Sequence, residues 1–150
     1  MTTNDASETG ILVVEDNQDD LDLTLRALRK ARLPHQLHVS RDGAEALEFI
    51  FCEGVHAGRK IENTPLLILL DLKLPKIDGL EVLARIKGDP RTRLIPVAVL
   101  TSSKEPRDVR ESYELGVNSY VVKPVSFESF TATVQELGIY WLQLNQAPRL

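Results

Sequence analysis

The sequence of 150 residues contains a single cysteine, Cys52, which excludes an internal disulfide. A lone thiol is typical of proteins from a reducing compartment. No apolar run approaches the roughly 20 residues of a transmembrane helix. The polar start MTTNDASETG also lacks the apolar core of a secretory signal. These absences predict a cytoplasmic protein with no membrane partner.

An excess of basic residues is also missing, because 18 Lys and Arg stand against 22 Asp and Glu, for a net charge of -4. Non-specific nucleic-acid binding relies on basic surface, so we expect no direct nucleic-acid partner. The apolar fraction of 43% is ordinary for a soluble globular chain of one domain. We expect a domain at residues 10–144, between flexible tails at residues 1–9 and 145–150.

Short apolar runs alternate with segments whose apolar residues recur every three or four positions. Uniformly apolar runs predict strands that are buried on both faces, whereas the alternating HQLHVS predicts an edge strand. Five strands that alternate with five helices predict a doubly wound parallel sheet with helices on both faces. The predicted strands are ILVV (11–14), HQLHVS (35–40), LLILL (66–70), IPVAVL (95–100) and SYVV (119–122).

Helix-start signals support this interpretation. Asp42 and Asp78 are each followed three residues later by glutamate, the pattern of a capping box, and Pro106 suits a first helical turn. The last predicted helix starts near Ser126 and carries one apolar stripe that faces the core: Phe127, Phe130, Val134, Leu137, Trp141 and Leu144.

Polar side chains follow the inner strands at the point where each strand ends. Because the carboxyl ends of parallel strands meet at one edge of a sheet, these side chains are predicted to share one pocket. They are Glu15 and Asp16 after the first strand, Asp71 after the third, Thr101 and Ser102 after the fourth, and Lys123 after the fifth.

This set of residues indicates phosphoryl transfer. Clustered carboxylates repel one another unless a cation binds, and oxygen ligands without His or Cys favour Mg²⁺. An aspartate can attack phosphorus, a lysine can neutralise phosphoryl oxygens and a hydroxyl can donate to them. Asp71 is therefore the predicted phosphate acceptor, and the bond between Lys123 and Pro124 is a candidate cis peptide.

The motifs resemble those of the receiver domains of two-component response regulators. The resemblance covers about residues 10–140 and rests on VVEDN, LLDLKLPKIDG, VLTSS and SYVVKP, which occur in the order of the family. It implies a flavodoxin-like sheet with strand order 2-1-3-4-5. It also implies a domain that takes a phosphoryl group from a sensor histidine kinase and catalyses only its own phosphorylation and dephosphorylation.

The resemblance also implies roles for individual residues. Asp71 would be phosphorylated and, with Asp16, would bind Mg²⁺, while Glu15 would support the ion and the backbone carbonyl of Lys73 would complete the site. Phosphate would contact Thr101, Ser102 and Lys123, and the switch pair would be Thr101 and Tyr120. Many family members have Asn or Met at the position of Lys73, and this position affects the dephosphorylation rate.

Within the family, the chain is most similar to single-domain regulators associated with bacterial phytochromes of the cyanobacterial type. The shared features are the long loop before the third strand, the segment VNSYVVKP and the aromatic YWL near the end. This similarity implies a phytochrome as kinase and a homodimer. The predicted dimer surface contains Trp141 and three residues that fall off the apolar stripe: Ile139, Tyr140 and Leu142.

Two other functions remain open at the level of sequence. An aspartate-nucleophile phosphatase of the haloacid dehalogenase type needs a second aspartate two residues after the nucleophile, where this chain has Lys73. A phosphorylation-independent adaptor would not need the complete set of acids, hydroxyl and lysine. Both alternatives are therefore weaker than a signalling receiver.

Overall fold

The computed structural model describes residues 10–33 and 36–148, and these residues build a five-stranded parallel sheet. The order is β2-β1-β3-β4-β5, which confirms the predicted fold class and strand order. The predicted tail at residues 1–9, residue 35 of the predicted second strand and residues 149–150 lie outside the described residues. The strands are β1 (Ile11–Val14), β2 (Leu37–Ser40), β3 (Leu67–Leu70), β4 (Val97–Thr101) and β5 (Ser119–Val122).

The helices cover both faces of this sheet. α1 and α5 pack together on one face, and α2, α3 and α4 pack on the other. None of the helices within the described ranges combines the length and the hydrophobicity that a membrane crossing requires. The helices are α1 (Gln18–Lys30), α2 (Gly43–Phe51), α3 (Gly79–Gly88), α4 (Pro106–Leu115) and α5 (Phe127–Ile139), with a 3-10 turn at Gly54–His56 and a π-helical turn at Tyr140–Leu144.

The strand side chains alternate between two separate cores. Leu12 and Val14 of β1 belong to the core under α2 and α3, whereas Ile11 and Val13 belong to the core under α1 and α5. This alternation follows from the two-residue period of a strand. It explains why the inner strands β1 and β3 are apolar at every position, since both of their faces are buried.

Side chains cap the amino-terminal ends of α2 and α3 as the sequence predicts. Asp42 accepts a hydrogen bond from the backbone N–H of Glu45 at 2.7 Å, and Asp78 accepts one from Glu81 at 3.0 Å. The bond from Glu45 lowers the pKa of Asp42. The carboxylate of Glu45 accepts a hydrogen bond from the backbone N–H of Arg41 at 2.8 Å. In a standard capping box this bond would come from the cap residue itself, Asp42, which follows Arg41.

The first and last residues of the predicted apolar stripe on the last helix do not face the core. Phe130 and Val134 are buried, but Phe127 is 56% exposed and Leu144 is 72% exposed. Leu137 and Trp141 pack against the core under α1 and α5 as predicted. The π-helical turn at Tyr140–Leu144 changes the angular spacing of the side chains, and Leu144 at its end leaves the stripe. Leu142 packs against the core under α1 and α5, so the prediction that it lies off the core is wrong, whereas Tyr140 is exposed as predicted.

Candidate functional site

Three carboxylates converge at the carboxyl edge of the sheet. Glu15 and Asp16 follow β1, Asp71 follows β3, and one oxygen of each lies within 4.8 Å of the other two. The strand register causes this convergence, because Val14 pairs with Leu70 and the next residue of each strand is an acid. Glu15 and Asp71 are buried while Asp16 is exposed. One side of the cluster is therefore open to solvent.

The start of α3 packs directly against the loop that carries Asp71. The backbone N–H of Gly79 donates to the carbonyl of Leu72 at 2.9 Å. A Cβ atom on Gly79 would lie 2.3 Å from the carbonyl oxygen of Asp71, closer than any side chain tolerates. Glycine at this position therefore allows the close approach that holds the Asp71 loop in place.

Lys123 reaches the carboxylates from the end of β5. Its Nζ lies 2.9 Å from Oε1 of Glu15, 2.7 Å from Oδ2 of Asp20 and 2.8 Å from Oδ2 of Asp71. An ammonium group has three N–H donors, so each donor has one carboxylate acceptor. The side chain of Lys123 is 8% exposed, and these charge-assisted bonds compensate for its removal from water.

Asp20 is a site residue that the sequence analysis missed. Its carboxylate was visible only as one of the acids in the first turn of α1, where acids are common because they interact with the helix dipole. The available signal was its spacing of four residues from Asp16 in EDNQDD, which places both acids near the start of one helix. Its contact with Lys123 joins residues that are 103 positions apart, and no local pattern predicts it.

The electrostatics of the cluster shift the pKa values of two groups. Burial, followed by the negative charge of Asp71, raises the pKa of Glu15 to about 7 despite its bond with Lys123. Burial alone would lower the pKa of Lys123, but its hydrogen bonds to Asp20, Asp71 and Glu15 together raise that pKa above its ordinary value. Lys123 is therefore charged at neutral pH.

The hydroxyl groups after β4 lie in different environments. Thr101 is buried and its Oγ1 accepts from the backbone N–H of Ser103 at 3.5 Å, while Ser102 is exposed. Ser103, which the sequence analysis did not select, is buried and donates its hydroxyl to Asp108 at 2.5 Å. It ties the loop after β4 to the first turn of α4.

The predicted switch residues Thr101 and Tyr120 both contact Ser103. The hydroxyl of Tyr120 donates to the carbonyl of Ser103 at 2.9 Å, and its half-buried ring packs against the core under α2 and α3. Burial raises the pKa of this hydroxyl, so it remains protonated and able to donate. The hydrogen bond at Ser103 therefore links the loop after β4 to β5.

Two further predictions concern backbone groups. The N–H of Lys73 donates to Oδ1 of Asp71 at 3.2 Å, and the Lys73 side chain is exposed. Within residues 10–33 and 36–148 there is no cis peptide bond, so the prediction of one between Lys123 and Pro124 is wrong. The trans form is favoured by about 0.5–1 kcal/mol, and Lys123 reaches all three carboxylates with it.

The donor set of the cluster fits a hard divalent cation. Glu15, Asp16 and Asp71 offer only carboxylate oxygens. Burial, and after it the repulsion between Glu15 and Asp71, raises the pKa of Glu15. A cation between them would remove that repulsion. The exposed position of Asp16 leaves room for the water ligands that Mg²⁺ usually keeps.

The sequence model of the response regulator receiver domain matches residues 11–135 of this chain. The chain belongs to the response regulator receiver family. This receiver is 45% identical over 138 residues to the probable methanogenesis regulatory protein FilR2 of Methanothrix harundinacea (strain 6Ac), a match that covers 92% of this chain and 86% of FilR2. It is 42% identical to response regulator Rcp1 of Synechocystis sp. (strain ATCC 27184 / PCC 6803 / Kazusa), with 92% of each chain covered.

Solved structures show the same fold. The Mn²⁺-bound form of Rcp1 matches with a TM-score of 0.87 and 41% identity, and it covers 93% of this chain and 99% of Rcp1. Phosphorylated RcpA, a cyanobacterial phytochrome response regulator, matches with a TM-score of 0.88 and 40% identity over 94% and 99% of the chains. The bacteriophytochrome response regulator AtBRR is 51% identical, with a TM-score of 0.72 over 92% and 98%.

Proposed function

We propose that this receiver accepts a phosphoryl group from a sensor histidine kinase on Asp71, uses Mg²⁺ bound at Glu15, Asp16 and Asp71, and signals through protein contacts. The observation that carries the proposal is the contact of 2.8 Å between Lys123 and Asp71 within the carboxylate cluster. A buried aspartate beside one fixed cation and a site for a second is suited to a reaction in which negative charge accumulates at phosphorus.

The reaction uses the side chains in fixed roles. A carboxylate oxygen of Asp71 attacks phosphorus, and the bond from phosphorus to the donor breaks, with its electron pair leaving on the donor. Lys123 donates N–H bonds to the phosphoryl oxygens, and the hydroxyl of Thr101 rotates to donate to the product. Mg²⁺, when bound, neutralises part of the phosphoryl charge. Lys123 needs no proton transfer, because it is already charged.

The state of the Thr101 hydroxyl links phosphorylation to a surface change. Thr101 Oγ1 now accepts from the N–H of Ser103. A bond from Thr101 to the phosphoryl group would draw this loop toward Asp71 and change the position of the Ser103 carbonyl, to which Tyr120 is bonded. Support for the switch role of Thr101 and Tyr120 comes from this shared contact. The changed surface is the output of the protein.

Intact-mass spectrometry with acetyl phosphate tests this function against its alternatives. The receiver with Mg²⁺ is expected to gain one phosphoryl group, and chelation of the metal is expected to prevent the gain. A phosphatase of the haloacid dehalogenase type would instead release inorganic phosphate over many turnovers without accumulating label. A phosphorylation-independent adaptor would stay unlabelled with and without metal, and that result would contradict the proposal.

We further propose a phytochrome as the cognate kinase. The support is similarity to RcpA and AtBRR, which are a cyanobacterial phytochrome response regulator and a bacteriophytochrome response regulator. Phosphotransfer from a panel of purified autophosphorylated histidine kinases is expected to be fastest from a bacterial phytochrome. Because FilR2 is similarly close in sequence, the panel also includes kinases without a phytochrome. Faster transfer from one of those would overturn the assignment.

Asp16→Ala is expected to weaken Mg²⁺ binding by at least about tenfold and to slow phosphorylation correspondingly. Asp16 is the exposed member of the cluster, and a Mg²⁺ site with few protein ligands depends strongly on each of them. Isothermal titration calorimetry measures the affinity. The matched control is Asp19→Ala, which removes the same charge from an exposed position three residues away. Unchanged affinity in Asp16→Ala would show that Asp16 is not a ligand.

We also propose that the receiver forms a homodimer through the end of α5. Tyr140 is 48% exposed beside Trp141, with the two rings perpendicular at 5.0 Å, and both line a cavity of about 480 Å³ next to β5. Exposed aromatic residues are enriched at interfaces. Two-fold symmetry would place each copy of this surface on the other.

Tyr140→Glu is expected to shift the receiver from dimer to monomer at micromolar concentration, as measured by analytical ultracentrifugation. This variant is preferable to one at Leu142, because Leu142 packs on the core and its replacement would disturb folding. Val55→Glu is the control, since Val55 is 87% exposed on the loop after α2. A monomeric wild type, with and without phosphodonor, would refute the dimer and leave the phosphoacceptor assignment unaffected.

A further inference from the structure

We infer that Asp20 is a positioning residue, which holds the Lys123 ammonium in line with the phosphoryl group on Asp71. This inference rests on the proposed phosphoacceptor function. Asp20 makes the shortest of the three contacts with Lys123, at 2.7 Å, and it is the only one of the three acceptors that is not among the carboxylates grouped for a cation.

Asp20 is itself fixed in place by the first turn of α1. Its backbone N–H donates to Oδ1 of Asn17, the cap of the helix, at 2.9 Å. Its carbonyl accepts from the hydroxyl of Thr24 at 2.8 Å. At its other end, Lys123 is fixed by its backbone N–H, which donates to the carbonyl of Thr101 at 2.7 Å. The side chain of Lys123 therefore lies between two anchored points, one on β5 and one on α1.

The other two contacts of Lys123 involve acids that are also suited to bind the cation. A divalent cation bound by Glu15 and Asp71 neutralises part of their negative charge. Their attraction for Lys123 therefore decreases. Asp20 keeps its full charge for Lys123, because it lies outside the three-carboxylate group. Phosphorylation then replaces the bond from Lys123 to Asp71 by a bond to the phosphoryl oxygens. Asp20 is the contact that remains through both events.

The partial exposure of Asp20 is consistent with this role. Its side chain is 30% exposed, whereas those of Glu15 and Asp71 are 4% and 7% exposed. A partly hydrated carboxylate costs less to maintain in its charged form than a buried one. Asp20 can therefore stay bonded to Lys123 without the full cost of burying a carboxylate.

The rate of phosphorylation by acetyl phosphate at saturating Mg²⁺ tests the role of Asp20. Asp20→Ala is expected to slow phosphorylation about tenfold, the effect of losing one charge-assisted bond that aligns Lys123. Asp20→Asn keeps an acceptor oxygen, and its expected loss is smaller, about threefold. Asp19→Ala removes the same charge from the neighbouring exposed position, and we expect it to stay within about twofold of wild type.

A double-mutant cycle shows whether Asp20 acts through Lys123. In a Lys123→Met background, Asp20→Ala is expected to change the rate by less than about twofold, because the group it positions is gone. A tenfold loss that persists in this background would overturn the inference, and so would equal losses in Asp19→Ala and Asp20→Ala. The second comparison needs no Lys123 variant and is decisive even if Lys123→Met fails to fold.

The melting temperature separates positioning from folding. A merely structural role predicts that Asp20→Ala lowers the melting temperature and that its rate recovers at lower temperature, and this result would overturn the inference. Failure of the wild-type receiver to become phosphorylated would remove the proposed function and the inference together. A phosphorylated wild type with no effect of Asp20→Ala would remove the inference alone.

Discussion

Asp71→Asn is expected to reduce phosphorylation by acetyl phosphate or by a kinase by roughly 10³-fold or more, the scale of losing a nucleophile. The amide oxygen of asparagine carries no negative charge and does not form a stable bond to phosphorus. The variant should fold, because asparagine has nearly the same shape as aspartate. It also relieves the repulsion that helps to raise the pKa of Glu15.

Intact mass and peptide mapping of the phosphorylated protein measure this effect. Asp78→Asn is the matched control, since it makes the same chemical change in the same segment, at a helix cap where asparagine is as favourable as aspartate. The control should be labelled like wild type. Label that remains on Asp71→Asn under the same conditions would place the acceptor elsewhere and refute the assignment of Asp71.

Lys123→Met is expected to lower the free energy of unfolding by about 3–5 kcal/mol in the absence of divalent cations. The lysine side chain is 8% exposed, and its loss leaves the buried carboxylates of Glu15 and Asp71 without a positive partner. Methionine fills a similar volume, so the cost comes from the unpaired charges rather than from a cavity. The same substitution should tighten Mg²⁺ binding, because a cation then has no competitor for the carboxylates.

Urea denaturation with EDTA and with Mg²⁺ measures both consequences. Mg²⁺ should restore a large part of the stability of Lys123→Met and stabilise wild type much less, since binding to the native state raises its stability according to affinity. Lys73→Met is the control, because it removes an exposed lysine close to Asp71. A loss below about 1 kcal/mol, or a loss that Mg²⁺ leaves unchanged, would contradict this account of the cluster.

The fold class, and the edge of the sheet where the site lies, could be predicted from the amino-acid sequence alone. Uniform apolar runs such as ILVV indicate strands that are buried on both faces of a parallel sheet. The acids at positions 15, 16 and 71 come directly after these runs, so their convergence follows from the parallel order. The helix caps at Asp42, Asp78 and Ser126 could also be predicted from the sequence, because a capping bond joins residues only three positions apart.

Which of the charged side chains contact one another could not be predicted from the sequence, because it depends on how the helices and strands pack. The contact between Asp20 and Lys123 depends on how α1 lies against β5, and many exposed acids at helix starts look the same in sequence. The bond from Tyr120 to Ser103 likewise joins two loops. The direction of the side chains after Ile139 depends on a π-helical turn, which changes the helical phase that a sequence pattern assumes to be constant. Local periodicity fixes which face of an element is buried, whereas pairing between distant side chains is set by the packing of whole elements.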